Sequence, residues 1–254
     1  MRKIMAIGAI LALLTGCANG FEKYYHPAPP AGLVALASSL DPPPPKAAVY
    51  VISADIREDA KRLAKDGYVF IGESSFVDLA DRSRQAQAAM QAKKVGASVV
   101  LFKSELKDTR SDVIPYTVAS ATYPGTGAST PPGGYSTFAT EHSLDRDTFY
   151  ASYWAKRDPN KIQLGLNFGP LSDALRQKLE RNSGVQVELV VRGTPAFNAN
   201  FLEGDILLKM NGKDISDVST LSSDLMHMGG QLVTFDLLRG DEHRTIAVML
   251  NPQP

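Results

Sequence analysis

The stretch GTPAFNANFLEGDILLKMNGKDI, residues 193–215, decides how the chain is read. It opens on a small-residue turn, Gly193-Thr194-Pro195-Ala196, which leads into a short helix over Ala196 to Phe201. Gly204-Asp205 then turns the chain into a strand, Ile206 to Met210. Asn211-Gly212 follows, the strongest two-residue hairpin signal, because both positions tolerate positive φ. Downstream, DVSTLSSDLMHM starts at a helix N-cap residue, Asp217 or Ser216, and sets Val218, Leu221, Leu225 and Met228 on one side of a helix. That helix stops at Gly229-Gly230. QLVTFDLLRG and HRTIAVML then alternate as a closing hairpin with Gly240-Asp241 in its turn.

In the order of these elements the chain resembles the bacterial, protease-associated type of PDZ domain, and the resemblance extends over residues 161–250. It implies a partly open β-barrel with two helices. It also implies capture of a partner's C-terminal tail, which adds as an antiparallel strand to an open sheet edge while its carboxylate rests in a loop of backbone amides. The family's loop has the form X-Φ-G-Φ, and the matching residues are Gln163-Leu164-Gly165-Leu166. Glycine is required there because successive amides must turn towards one anion, as in a backbone nest. By this resemblance the amides of Leu164, Gly165 and Leu166 hold the carboxylate, and Leu166 and Phe168 pair with the ligand. The 218–228 helix forms the opposite wall, with Leu221 and Leu225 lining the pocket for the last side chain and Thr220 facing the third residue from the ligand's end. Pro170 lies in the pairing strand and has no N–H. The ladder is therefore expected to reach about three ligand residues, with micromolar affinity, roughly 8 kcal/mol. A PDZ-like fold whose groove is filled by its own helix or tail is the alternative.

The other end of the chain has a different character. Arg2 and Lys3 precede an apolar run, Ile4 to Leu14, which is too short to span a bilayer at about 20 residues and has the length of a secretory signal core. Residues 1–16 are read as a signal peptide. Leu14-Thr15-Gly16-Cys17 contains the only cysteine and resembles the lipobox of bacterial lipoproteins. The resemblance implies diacylglycerol on the Cys17 sulfur, cleavage after Gly16 and acylation of the new amino terminus. Several acyl chains at about 0.8 kcal/mol per methylene make a firm membrane anchor. An ordinary cleaved signal with an incidental cysteine is the alternative. Ala18 stands where an aspartate would resemble an inner-membrane retention signal, which points to the periplasmic face of the outer membrane. Residues 17–45, with HPAPPAG and DPPPPK, read as a proline-rich tether, a semi-rigid spacer at about 3.1 Å per residue. The same prolines would also suit an aromatic groove in another protein.

Residues 46–157 read as a small α/β sandwich domain, so the whole chain is of the α+β class. AAVYVIS, YVFIGESSF and SVVLFKSEL are strand-like. REDAKRLAKDG and DRSRQAQAAMQAKKVGA are helix-like and close on Gly67 and Gly96. A Ser/Thr/Gly/Pro-rich excursion occupies 109–143, either a flexible loop or an extended hairpin, with an irregular tip at 124–134. DTFYASYWAKR returns as a strand, with Phe149, Ala151 and Tyr153 on one face and Tyr150, Ser152 and Trp154 on the other. This region is similar to bacterial lipoproteins of unassigned activity.

Charge and motifs narrow the function. Lys plus Arg and Asp plus Glu number 27 each, and loss of Arg2 and Lys3 would leave a slightly acidic chain. No basic field is present to draw nucleic acid. Before residue 161 the only histidines are His26 and His142, and no Gly-Asn-Ser-Gly-Gly resembles a trypsin-like nucleophile motif. Ser136 lies in low-complexity GGYSTF, and Ser74 and Ser75 in GESSF have no histidine near them in sequence. His227 and His243 stand singly without metal-ligand spacing, there is no HExxH, and GTGASTPPGG lacks the Gly-Lys-Ser/Thr of a phosphate loop. Glu58, Asp59, Asp78 and Asp81 lie beside Arg and Lys and read as solvated surface. No catalytic residue, metal or cofactor is expected. The expected function is binding: a lipid-anchored envelope protein that holds C-termini or extended segments of periplasmic partner proteins. A structural envelope protein with a closed scaffold and an accessory subunit of a periplasmic protease are the alternatives.

Overall fold

A computed structural model of the chain describes residues 19–29, 36–51, 55–119 and 135–253. They form two antiparallel-rich sheets. The first comprises β1 (Tyr25–Pro27), β2 (Ala48–Val51), β3 (Tyr68–Leu79), β4 (Val99–Ala119) and β5 (Tyr135–Lys156), in the order β1-β3-β5-β4-β2. Only the β2–β4 pair is parallel. Helices α1 (Gly20–Lys23), α2 (Ile56–Lys65) and α3 (Arg84–Val95) accompany it.

Strand alternation distributes the aromatic residues to two faces. Phe149, Ala151 and Tyr153 of β5 join Val100 and Phe102 of β4 in one core, closed by Ala88 and Ala92 of α3. The small alanines let that helix approach the aromatic sheet. Val99, Leu101 and Trp154 point the other way, onto Leu63 of α2. Asp55 caps α2 by accepting the Arg57 N–H at 2.8 Å, and α3 stops at left-handed Gly96.

Within the tether expected at 17–45, residues 19–27 and 36–40 are docked against the first domain, whereas residues 42–45 are exposed and irregular. Phe21 is fully buried, its ring edge-on to Phe76 at 4.8 Å and tilted to Phe102 at 6.0 Å. β1 pairs with β3, Tyr25 opposite Ser74, and Leu40 bridges to Arg157. The reason lies in two features hidden by the proline content. One buried phenylalanine is worth about 1.5–3 kcal/mol, enough to dock a short segment. Pro27 sits on a sheet-edge strand, where a missing N–H is tolerated. Cys17 and the signal segment 1–16 lie outside the described residues. Of the two forms open to the 109–143 excursion, the structure has the extended hairpin. β4 and β5 pair from Val99 opposite Trp154 out to Ala119 opposite Tyr135, whereas β3 accompanies them only as far as Arg146. The tip, 120–134, is outside the described residues.

The second sheet contains β6 (Leu166–Pro170), β7 (Val185–Val190), β8 (Ile206–Met210), β9 (Lys213–Asp214), β10 (Leu232–Arg239) and β11 (Glu242–Met249). Its order is β11-β10-β8-β7-β6, with β9 paired to β8, so it is no closed barrel and β6 is an edge. The helices are α4 (Asp173–Leu179), α5 (Pro195–Asn198) and α6 (Val218–Met226). The sequence reading had two helices here and missed α4, which Ser172 caps and which sets Leu175 and Leu179 against Ile206, Leu208 and Leu238. Within 193–215, Pro195 starts α5, Asn211 and Gly212 both take positive φ, and Asp205 is buried. Arg239 grips Asp205 through two nitrogens, each at 2.8 Å, while Asp205 also accepts the Leu202 N–H at 2.9 Å. That clamp ties the α5–β8 turn to the end of β10.

The two sheets touch through α2. Ala64 packs on Ile162, Leu189 and Val191. Lys61 and Lys65 pair with Glu203 at 3.1 and 2.8 Å, Arg192 pairs with Asp66, and the Arg192 N–H donates to the Lys65 carbonyl at 2.8 Å. Burial pushes the Glu203 pKa up, and the two lysines outweigh it, so the net shift is downward.

If residues 19–27 are a working part of the first domain, Phe21→Ala removes a buried ring from its core. Urea unfolding should then show a loss of about 3–5 kcal/mol. A change within a few tenths would mean that the segment is the solvent-borne tether its prolines describe.

Candidate functional site

The groove begins at the connection into β6. Residues 159–161 form a short 3-10 turn capped by Asp158, after which the chain passes through Ile162 to Gly165 and enters β6 at Leu166. The carbonyls of this passage are all engaged. Gln163 accepts the Asn251 N–H, Leu164 accepts the Ala196 N–H, and Gly165 accepts the Val191 N–H, each at 2.9 Å. With three successive carbonyls bonded to the domain, the neighbouring N–H groups face away from those partners. Among the described residues, the N–H groups of Leu164 and Gly165 have no acceptor. Leu166 follows as the first residue of β6, opposite Val190.

Gly165 is a position where the backbone dictates the residue. Its φ is +88°, and a Cβ there would collide with the side chain of Thr194. Thr194 is itself fixed, because its hydroxyl donates to the Val191 carbonyl at 2.6 Å. The buried Leu164 side chain anchors the passage in the core. Two side chains brace it further. Asn251 Nδ2 donates to the carbonyls of Pro159 and Ile162 at 3.1 and 2.9 Å, and Gln163 Nε2 donates to the Leu225 carbonyl at 2.6 Å, tying the loop to the end of α6.

Between β6 and α6 lies a cavity of about 230 Å³. Leu164, Gly165, Leu166 and Phe168 line one side, and Ser222 and Leu225 line the other. Ile162, Val191 and Arg157 complete its lower end. The lining is mixed: Leu164, Leu166, Phe168, Val191 and Leu225 are apolar, and Arg157, Gln163, Asn167 and Ser222 are polar. Burial lowers the Arg157 guanidinium from its ordinary pKa. A larger hollow of about 770 Å³ lies by the first sheet, between Val49 and the Ala86, Ala89 and Met90 side of α3. Size does not select the site; the unpaired backbone donors do, and they are in the smaller cavity.

Of the residues singled out in the sequence, Leu164, Gly165, Leu166, Phe168 and Leu225 come together here. Two do not. Leu221 is 1% exposed and belongs to the core beneath α6. Thr220 is taken up in the helix cap: its N–H donates to Asp217 Oδ1 at 2.8 Å and its hydroxyl to Asp217 Oδ2 at 3.0 Å. The Thr220 N–H, then the Ser216 and Thr220 hydroxyls, hold the Asp217 carboxyl below its usual range. The helical phase accounts for these positions. At 3.6 residues per turn Thr220 points about 160° away from Ser222. The groove-facing row is Ser222 and Leu225, one turn apart, while Leu221 turns inward. Ser222 was legible as the residue three before Leu225. Arg157 was not, because it precedes the segment that carries the resemblance.

The family model of the PDZ domain matches residues 163–250. These residues form a PDZ domain. No curated protein matches the chain. Among solved structures, the PDZ domain of HtrA3 bound to a phage-derived ligand, FGRWV, is 22% identical; the match covers 35% of this chain and 83% of that one, with a TM-score of 0.31. The HtrA-type protease AlgW with a decapeptide is 19% identical, with coverage of 41% and 37% and a TM-score of 0.32. A variant of AlgW with a tripeptide is 20% identical, with coverage of 41% and 40% and a TM-score of 0.33. The matched part spans less than half the length of the two AlgW chains.

Proposed function

We propose that the chain is a binding protein of the cell envelope. It is held by lipid on Cys17 and captures the C-terminal tails of partner proteins in the groove between β6 and α6. One observation carries the binding half of this reading: among the described residues, the N–H groups of Leu164 and Gly165 are unpaired in a loop whose carbonyls are all bonded. Unpaired backbone donors beside a partly apolar cavity are costly unless water or a ligand satisfies them. A terminal carboxylate supplies acceptors for both. β6 is a sheet edge with its outer backbone groups free for an added strand, and PDZ domains bind peptides in that way. The last side chain of the tail enters this cavity against Leu164, Leu166, Phe168 and Leu225, and its volume suits one aliphatic residue. Pro170 ends the usable edge, so only the last few ligand residues are read in backbone register.

The anchoring half rests on sequence: the positive pair Arg2-Lys3, the apolar run to Leu14, and Leu14-Thr15-Gly16-Cys17. Expressed in a bacterium, the protein should sediment with membranes, and Cys17→Ser should release it to the soluble fraction. Equal membrane association of both forms would refute lipidation at Cys17.

For the groove, a pool of fluorescent pentapeptides ending in Ala, Val, Ile, Leu or Phe is titrated as free acids and as C-terminal amides. The account expects micromolar binding of aliphatic free acids and amides weaker by about 10-fold or more, the value of charge-assisted hydrogen bonds. Gly165→Val should abolish binding of both. Equal affinity for acids and amides, or no binding at all, would overturn the reading.

A further inference from the structure

The groove is not completed by the PDZ domain alone. Arg157 follows the last residue of β5, in the first domain, yet it lines the same cavity as Leu164 and Gly165. Its position is set by parts of the chain far from the groove. The Arg157 N–H donates to the Gly67 carbonyl at 3.0 Å, and Arg157 Nε donates to Ser39 Oγ at 3.0 Å. Ser39 is 2% exposed, and its hydroxyl donates to the Leu36 carbonyl at 2.7 Å, so its oxygen is turned to accept from arginine. The next N–H, of Asp158, is held by the Ser39 carbonyl at 2.9 Å. Among the described residues, no carboxylate pairs with the Arg157 guanidinium. A partly desolvated cation without a counter-charge is an expensive arrangement in a stable fold unless an anion visits it.

The lower end of the same cavity also rests on the first domain. Ile162 and Val191 line it, and both pack on Ala64 of α2. Gly67, which positions Arg157, terminates that helix.

We infer that the first domain completes the carboxylate pocket: Arg157, positioned by Ser39 and Gly67, supplies the counter-charge for a ligand carboxylate bound at the Leu164 and Gly165 amides. This rests on the reading of the groove as a tail-binding site and adds to it a dependence on domain packing. Segment 36–40, which looks like spacer in the sequence, becomes part of the site through one hydroxyl. By linkage, a bound tail stabilises the Ser39–Arg157 contact as much as that contact strengthens binding. The occupancy of the groove is therefore felt in the first domain.

The test uses the full chain, the tightest free-acid pentapeptide from the pool above and its C-terminal amide, at low and high salt. Arg157→Met should weaken the acid by about 10- to 100-fold, leave the amide unchanged and flatten the salt dependence. Arg157→Lys should keep most of the acid preference. Ser39→Ala should weaken the acid alone, by roughly 3- to 10-fold, which a merely structural role would not do selectively. If wild-type protein prefers the acid and Arg157→Met keeps the same acid-to-amide ratio, this inference is overturned and the tail reading stands. If wild-type protein shows no preference, both fall. Should Arg157→Met lose amide binding and melt early, the Ser39→Ala result decides: unchanged acid affinity overturns the inference, and selective loss supports it.

Discussion

Three main-chain carbonyls control this molecule's capacity to recognise anything. Those of Gln163, Leu164 and Gly165 accept N–H groups from Asn251, Ala196 and Val191, three separate parts of the domain. Each bond turns a peptide plane, and together they leave the N–H groups of Leu164 and Gly165 without acceptors among the described residues, at the edge of a partly apolar cavity. The site is thus a by-product of how the loop is fastened. The positive φ at Gly165 and the close approach of Thr194 leave no room for another residue. The Asn251 side chain and the Gln163–Leu225 bond then keep the loop and the end of α6 in fixed relation.

The same fastening extends beyond the domain. β7 continues into Val191 and Arg192, whose backbone and side chain bind the end of α2. Glu203, just before the buried Asp205, takes two lysines from that helix. Exposed ion pairs of this kind contribute little individually. The apolar contact of Ala64 with Ile162, Leu189 and Val191 gives the junction its dry centre. The groove therefore sits against a second domain, and Arg157 reaches it from there.

Much of the PDZ segment was legible because its signals are local. Asn211-Gly212 demands a turn wherever it occurs, Asp217 needs only the next three residues to cap a helix, and Gly165 marks a turn that side chains forbid. The alternation in DTFYASYWAKR was equally local, and its two faces are the two cores of the first sheet. What failed depended on partners distant in sequence. Phe21 lies just ahead of a proline-rich stretch, and nothing near it in sequence announces Phe76 or Phe102. α4 is short and polar after Pro170, and its apolar contacts come from β8 and β10. Leu221 and Ser222 differ by one position, and a stripe of apolar residues does not say which flank of a helix borders a groove. Arg157 and Ser39 are 118 residues apart, a juxtaposition that only the folded chain makes.

The most direct measurement is an amide-resolved NMR titration of the full chain with a free-acid peptide ending in an aliphatic residue. The account predicts that the Leu164 and Gly165 amide protons move downfield as they acquire a carboxylate acceptor, more than any others in the loop. If those two resonances stay in place while the peptide binds elsewhere, or are already protected from solvent exchange in the free protein, the donors are not waiting for a ligand and the account is wrong.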